Sequence, residues 1–343
     1  MKILIATDAW HPQINGVVRS LQQMSAELTK MGIDVHFITP LVFKTVPLPS
    51  YPEIRLSLVS QKSISKHIAN FAPDHIHIAT EGPIGFQTRR YCIKTKQIFT
   101  TSYHTRFPEY ISARLPIPEK LSYACLRLFH NAGRGVMVAT KTLRDELEAK
   151  RFKNIMSWSR GVDGDLYHPY DRGSFDIPEL TDSLRPFFLY VGRVSVEKNL
   201  EAFLSLDLPG TKIIVGDGPS KQALTIQYPL AKFLGIKLGE NLAQVYSLAD
   251  VFVFPSLTDT FGIVLLEALA CGTPIAAFPV TGPKDTLEGA GIGILDIDLK
   301  SAAIKALSIS RIKCREFALT KTWRESAEQF LQNVKTAQDM KVR

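Results

Sequence analysis

The stretch Val251–Pro274, VFVFPSLTDTFGIVLLEALACGTP, limits what this chain can become more than any other. It opens with a continuous apolar run, Val251–Phe254, of the length and composition of a strand buried on both faces. Pro255 and Ser256 end the run, and a short polar loop follows over Leu257–Thr260. Gly262 then opens a helix with Ile263, Leu265, Leu266, Leu269 and Ala270 on its apolar side, closed by Gly272-Thr273-Pro274. Strand, polar loop and helix in this order point to an α/β fold with a parallel sheet. The loop and the helix start then fall at the carboxyl edge of the strands, where such sheets bind ligands.

Two acids stand out in that element. Asp259 lies in the loop, and Glu267 lies about one and a half turns into the helix. Helical side chains lean back toward the N-terminus, so Glu267 is expected to reach the opening that Asp259 lines. Backbone N–H groups near Phe261, Gly262 and Ile263 would face an anion. Acids beside an anion site suit a ligand carrying both hydroxyls and phosphate. An N-capping Asp and a solvated helix Glu explain the same pair more plainly in an isolated strand-loop-helix.

A chain of 343 residues has room for about two domains of ordinary size. No apolar run is long enough to span a bilayer. The start, MKILIATDAW, is interrupted at Asp8 and reads as a first strand, not as a signal peptide. Cys92, Cys125, Cys271 and Cys314 show no metal or CxxC spacing and read as buried thiols in a reducing cytosol. The net charge of +8 is uneven. Between Ile84 and Ile155 stand 14 Lys and Arg against 5 Asp and Glu, a surplus of nine that leaves the rest of the chain near −1. A localised basic stretch points to an acidic partner, an anionic membrane surface or nucleic acid, or to nothing more than a basic face.

Taken in order, Lys2–Thr7 is a strand, Val17–Met31 a helix and Asp34–Thr39 a second strand. This βαβ opening lacks G-x-G-x-x-G, so it does not read as a dinucleotide site, although Gly16 at the helix start could let a ligand approach the backbone. Pro40–Gln61 reads as irregular. Ile98–Thr101 is a strand that runs into Ser102-Tyr103-His104-Thr105-Arg106, which places a His just past a strand end. Phe107–Pro118 and the helix Glu119–Asn131 interleave basic and large apolar residues, as an interfacial segment does and as a core helix with its loop also does. Leu166–Pro186, with three prolines and mixed charge, reads as an interdomain linker. A second α/β set follows, with strands at Phe187–Val191, Lys212–Val215, Ala231–Leu234, Val251–Phe254, Pro274–Phe278 and Gly293–Leu295. Helices at Leu299–Ser308 and Thr322–Ala337 finish the chain.

Several separated motifs agree with one another. They are PQINGVVRS, EGPIG, SYHTRFPEY and SRGVDGDLYHP in the first half, and GRVSVEKN, VGDGP, FLGIKLGENLAQVYSLADVFVFPS and TDTFGIVLLEALACGTP in the second. Each sits at a strand end, and together they make the chain resemble a family 4 glycosyltransferase of the two-Rossmann-domain (GT-B) type, nearest to the glycolipid-synthesising branch. The resemblance implies two Rossmann-like domains facing across a cleft. The first would span 1–168 on the acceptor side, with a linker at 169–186 and a nucleotide-sugar-binding domain at 187–318. The helix at 319–343 would pack back on the first domain.

It further implies a retaining, metal-independent hexosyltransferase. The sugar would be glucose, glucuronate, galactose or mannose, the donor a UDP-sugar ahead of a GDP-sugar, and the acceptor a membrane lipid such as diacylglycerol. A soluble or polysaccharide acceptor is the alternative, and a non-catalytic nucleotide-sugar-binding protein is the alternative of another class. By the resemblance, Arg193 and Lys198 hold the donor diphosphate, Asp259 the donor sugar and Glu267 the ribose. Phe261, Gly262 and Ile263 would offer backbone to sugar or phosphate, Gly235 would lie by the base, and Gly16 would pack against the diphosphate. His104 matches the active-site His, which leaves His104, Asp259, Arg193 and Lys198 as the catalytic set. The family pattern usually has Glu where this chain has Asp259, and often a second glycine where it has Asn15. Arg106, Tyr110, Arg114 and Arg127 are expected on the acceptor and membrane side, with the protein cytoplasmic and peripheral on the inner face of the membrane. Neither a nucleic-acid partner nor a metal site is expected.

Overall fold

Runs of four or five β-branched and aromatic residues become strands here because both of their faces are covered. The structure is a computed structural model that describes residues 1–13, 15–48, 51–112, 118–173 and 177–340. The chain divides into two compact units, Met1–Arg160 with Trp323–Arg343, and Gly161–Thr322.

The first unit contains β1 (Lys2–Ala6), β2 (Asp34–Ile38), β3 (Thr45–Leu48), β4 (Tyr51–Ser57), β5 (His75–Ile78), β6 (Phe99–Ser102), β7 (Gly135–Val138) and β8 (Ile155–Ser157). Six of these make a parallel sheet in the order β2-β1-β5-β6-β7-β8. β3 and β4 pair as a separate antiparallel hairpin inside the segment expected to be irregular. Both strands of a two-stranded ribbon are edges, so Pro47 and Pro52 do not prevent the pairing that they hid from the sequence pattern. The helices Gly16–Lys30 and Trp323–Asp339 share one core, in which Leu21, Met24 and Leu28 pack with Phe330, Val334 and Ala337. The closing helix is therefore part of the first unit.

The second unit contains β9 (Phe187–Val191), β10 (Thr211–Val215), β11 (Lys232–Phe233), β12 (Val251–Phe254), β13 (Ile275–Ala277) and β14 (Gly293–Leu295). They form a parallel sheet in the order β11-β10-β9-β12-β13-β14. The expected boundary after 168 falls instead after Arg160, and the presumed linker belongs to this unit. Val162, Tyr167 and Leu180 join its core, and Arg172 donates to Asp250 and to the carbonyls of Ser247 and Ala249. Such backbone-directed bonds leave no periodic trace in a sequence. The helix Arg311–Leu319 escaped for the same reason. Only Cys314 and Ala318 are buried in it, while Arg311 and Arg315 reach carbonyls of neighbouring segments. Of the four free thiols, Cys92, Cys271 and Cys314 are buried as expected, whereas Cys125 is exposed. Its helix, Glu119–His130, turns Tyr123, Phe129 and His130 inward instead. Among the described residues no helix is long and apolar enough to cross a membrane.

The first sheet also buries polar groups. His75 Nε2 and His77 Nδ1 both lie 2.9 Å from Thr100 Oγ1, and His77 Nε2 lies 2.8 Å from Ser102 Oγ. Burial pushes His75 down to about 4 and His77 well below the ordinary range, with the neighbouring His75 and Arg160 lowering His77 further. Both are neutral when folded, and both take a proton near pH 6.5 when unfolded. As pH falls below about 6.5 the unfolded chain gains protons that the fold refuses, so stability drops until the folded imidazole itself protonates. The expected loss is about 2 kcal/mol per imidazole by pH 5. Denaturant titrations at pH 7.5 and 5 measure it, and a His75→Gln/His77→Asn variant should show a clearly flatter slope; an unchanged slope refutes the assignment.

Candidate functional site

In the second unit the strand order reverses beside β9. β10 and β11 lie to one side of it, and β12, β13 and β14 to the other. Connections leaving β9 and β12 run apart and open a crevice at the carboxyl edge, the usual ligand position in such sheets. Two predicted site residues come from those two exits and meet there. Lys198 ends the 3₁₀ turn Val196–Lys198 after β9, and Asp259 lies in the loop after β12. Lys198 Nζ lies 2.7 Å from both carboxylate oxygens of Asp259. The two side chains keep 22% and 17% exposure, so the pair is sheltered yet reachable. Asn199, at φ 53, donates from Nδ2 to the Pro255 carbonyl at 3.1 Å and ties the two exits together one residue further on.

The neighbouring exits are packed backbone against backbone. A Cβ on Gly216, at φ +138, would stand 1.9 Å from the Gly192 carbonyl oxygen. Gly192 N–H donates to the Val215 carbonyl at 3.0 Å, and Val194 N–H to the Asp217 carbonyl at 2.9 Å. Gly216 N–H donates to the Gly235 carbonyl at 2.7 Å, so Gly235 belongs to the same edge. Arg193 sits within this lacing, its carbonyl accepting from the Tyr190 hydroxyl at 2.9 Å.

Gly262, at φ 84, is the N-cap of the helix Ile263–Ala270 and supplies no side-chain cap. Ile263 is buried, and Phe261 packs partly buried against the core. Glu267 departs from the expectation that it lines an opening with Asp259. It is only 1% exposed, and its Oε2 accepts from the Tyr246 hydroxyl at 3.0 Å. The reason is that Ile263–Ala270 is packed on both sides, by the helices Gly239–Leu248 and Arg311–Leu319. Tyr246, fully buried, is a partner that residue spacing did not reveal, because it lies on a different element.

In the first unit Gly16 is the first residue of its helix, and the Asn15 carboxamide oxygen accepts from the N–H groups of Val17 and Val18 at 3.0 Å each. Two of the N–H groups that would face an anion there are thus already capped. His104 lies just past β6, with Nδ1 3.1 Å from a guanidinium nitrogen of Arg160 and its ring edge-on to Trp158. Burial holds it well below the usual imidazole range, and Arg160, His77 and His130 add to the effect. Arg160 follows β8 and was not singled out from the sequence, although it stands inside the SRGVDGDLYHP motif.

Of the residues expected on the acceptor side, Arg106 has a largely buried side chain paired with Glu109 and Glu146 at 3.0 and 2.7 Å. Arg127 donates to the Lys150 carbonyl. Tyr110 lies in the helix Phe107–Ser112 without a described side chain, and Arg114 lies outside the described residues. Among the described residues no group of three His, Cys, Asp or Glu is placed to hold a metal ion. The acids of Asp163-Gly164-Asp165 and Asp296-Ile297-Asp298 are engaged locally: Asp163 accepts from the N–H groups of Asp165 and Leu166, and Asp298 caps its own helix.

Two doubly wound parallel α/β units, with the last helix returned to the first, define the GT-B architecture of sugar-nucleotide transferases. The family model "Glycosyltransferase Family 4" matches residues 14–166, and "Glycosyl transferases group 1" matches 185–308. The chain is 31% identical over 287 residues to the sulfoquinovosyl transferase SQD2 of Arabidopsis thaliana, covering 79% of this chain and 56% of that protein. It is 26% identical over 319 residues to a GDP-mannose-dependent alpha-mannosyltransferase of Mycobacterium tuberculosis, covering 86% and 83%. The crystal structure of Anabaena HepE in complex with UDP and glucose matches with a TM-score of 0.71 at 15% identity, covering 98% of this chain and all of that one. The chain belongs to glycosyltransferase family 4.

The ion pair yields a double-mutant test. Lys198→Met leaves the Asp259 carboxylate without its cation, and adding Asp259→Asn removes that charge. The double variant is expected to recover about 1 kcal/mol of the stability that Lys198→Met loses, measured by urea titration. Simple additivity of the two single losses speaks against the pair.

Proposed function

We propose that this chain is a retaining hexosyltransferase that moves a sugar from a nucleotide-sugar donor to a membrane lipid. The observation that carries the reading is the contact between Lys198 and Asp259, a cation and an acid delivered from the two sides of the switch point. A donor diphosphate would draw Lys198 away from Asp259. The freed carboxylate would then accept from sugar hydroxyls, while Arg193 and the Gly262 helix start add to the field on the phosphate. By the family resemblance Gly235 is assigned to the base, His104 to the sugar, and Glu267 to the ribose, which it would reach only by turning out of its buried contact with Tyr246.

The bond from the anomeric carbon to the phosphate oxygen breaks as the acceptor oxygen bonds on the same face. The departing phosphate oxygen takes the acceptor's proton, so no metal is required. A UDP-sugar is the expected donor, and the HepE complex with UDP and glucose supports it. The Mycobacterium tuberculosis relative supports GDP-mannose as the second reading.

The lipid acceptor is supported by similarity to the glycolipid-synthesising branch and by a groove of about 600 Å³ in the first unit. Its lining is Gln61, Phe86, Gln87, Arg89, Arg90, Ile93 and Lys94, with no acid among them. Phe86 and Ile93 are about half exposed. Apolar and basic groups together on one face suit docking on anionic lipid, and we place the protein peripherally on the cytoplasmic face of a membrane.

A thermal-shift panel of UDP-, GDP- and ADP-sugars, followed by a lipid-acceptor assay with the donor that binds, tests the reading; binding of none of them removes it. Glu267→Ala and Lys198→Ala are each expected to lower turnover at least about a hundredfold. Flotation with anionic liposomes at moderate salt should be lost in Phe86→Ser/Ile93→Ser while the donor-induced thermal shift persists. Unchanged flotation would reject this docking face.

A further inference from the structure

The contacts around His104 fix its chemical form. The nitrogen facing Arg160 at 3.1 Å is Nδ1, and a guanidinium has five donors and no acceptor. Nδ1 must therefore carry the lone pair, which places the ring proton on Nε2. We propose that Arg160 is a positioning residue that locks His104 as the neutral Nε2–H tautomer, so that His104 meets its substrate as a hydrogen-bond donor and not as a proton acceptor.

Arg160 is itself rigidly placed for that task. One guanidinium nitrogen donates to the carbonyls of Trp158 and Ser159 at 2.7 and 3.0 Å, and the guanidinium carbon stands 4.1 Å from the centre of the Trp158 ring. Trp158 is fully buried, and its indole N–H donates to Ser326 on the closing helix. Ser326 Oγ in turn donates to the Ser159 carbonyl, and the Gln329 side-chain oxygen accepts from Ser159 N–H at 2.6 Å. Both carbonyl partners of Arg160 are thus pinned by the chain's last helix.

Arg160 is only 5% exposed, and among the described residues no carboxylate pairs with it. A buried cation without an acid is destabilising, more so than an apolar side chain of similar length would be. Burial pushes Arg160 down to about 9, so at neutral pH it stays charged and remains a pure donor. The titratable groups that face the His104 ring are Arg160, His77 and His130; burial and all three of them disfavour its protonation. A fixed neutral donor beside a sugar is chemically useful. It can hold a hydroxyl without taking its proton, and it stays in one form across the physiological range.

The catalytic half of this proposal rests on the sugar-transfer reading, but the tautomer does not. The test is NMR of the full chain with ¹⁵N-labelled histidine, which has 8 signals sets to resolve, with His104→Gln identifying the set for His104. The expected spectrum has a pyridine-type Nδ1 and a pyrrole-type Nε2 that persist below pH 6. A protonated Nδ1, or titration near about pH 6.5 in the wild type, overturns the proposal without any Arg160 variant, so a poorly folding variant does not protect it. Arg160→Met should release Nδ1, give mixed tautomers and bring titration back toward about 6.5. Its kcat should fall by about tenfold or more with a new acidic limb, while donor KM moves by less than about threefold. Arg160→Lys, which also only donates, should restore the single tautomer and much of kcat. Mixed tautomers in Arg160→Met with full turnover reject the positioning role. The expected wild-type spectrum in a protein that transfers no sugar rejects the function proposed above and leaves the tautomer assignment standing.

Discussion

The second unit depends on one contact that no side chain could occupy. Gly216 comes so close to the Gly192 carbonyl that a Cβ would overlap it, and this lets the exits of β9 and β10 lie directly against each other. With those exits laced by N–H to carbonyl bonds, the turn carrying Lys198 has a fixed starting point. The strand order then supplies the other half. Because β12 lies on the opposite side of β9 from β10, its loop brings Asp259 back to the same crevice. A cation and an acid separated by about sixty residues become a contact pair through sheet topology alone. In that contact the lysine is held by both carboxylate oxygens, a charge-assisted pair.

The first unit solves a different problem. Its sheet buries imidazoles and hydroxyls, His75, His77, Thr100 and Ser102, in mutual hydrogen bonds, a specific but pH-sensitive form of core. The closing helix covers that face and anchors Trp158 and Ser159. A segment at the far end of the sequence thus holds the residues that hold Arg160, and through it His104. The same unit spends much of its positive charge internally, as Arg106 and Arg127 show. Arg90 and Lys94 instead line the groove beside Phe86 and Ile93.

Much of this architecture was legible in the chain. Val251–Phe254 and Phe187–Val191 were recognisable as central strands because a strand covered on both faces must be apolar throughout. The positions of Lys198, Asp259, Gly262 and His104 at strand exits followed from the same pattern. The burial of Glu267 was not foreseen because helical spacing predicts direction relative to its own helix and says nothing of the two helices that close over it. Arg160, Tyr246 and Arg311 were overlooked because charged and hydroxyl-bearing residues are counted as surface unless their buried partners are known. The hairpin of β3 and β4 was hidden by prolines that only an edge tolerates.

The sequence by itself determined two parallel α/β layers, the residue types at their carboxyl edges and the family, since all of these are local patterns of apolar runs, glycines and turn residues. Tertiary structure alone decided where the first unit ends, which carboxylate is buried, which cations are already paired, and which nitrogen of His104 carries the proton. Those outcomes rest on partners distant in the chain, such as Asp250 for Arg172, Tyr246 for Glu267, and Ser326 for Trp158 and Ser159. A hydrogen bond has no sequence period; it exists only once the sheets have brought donor and acceptor together.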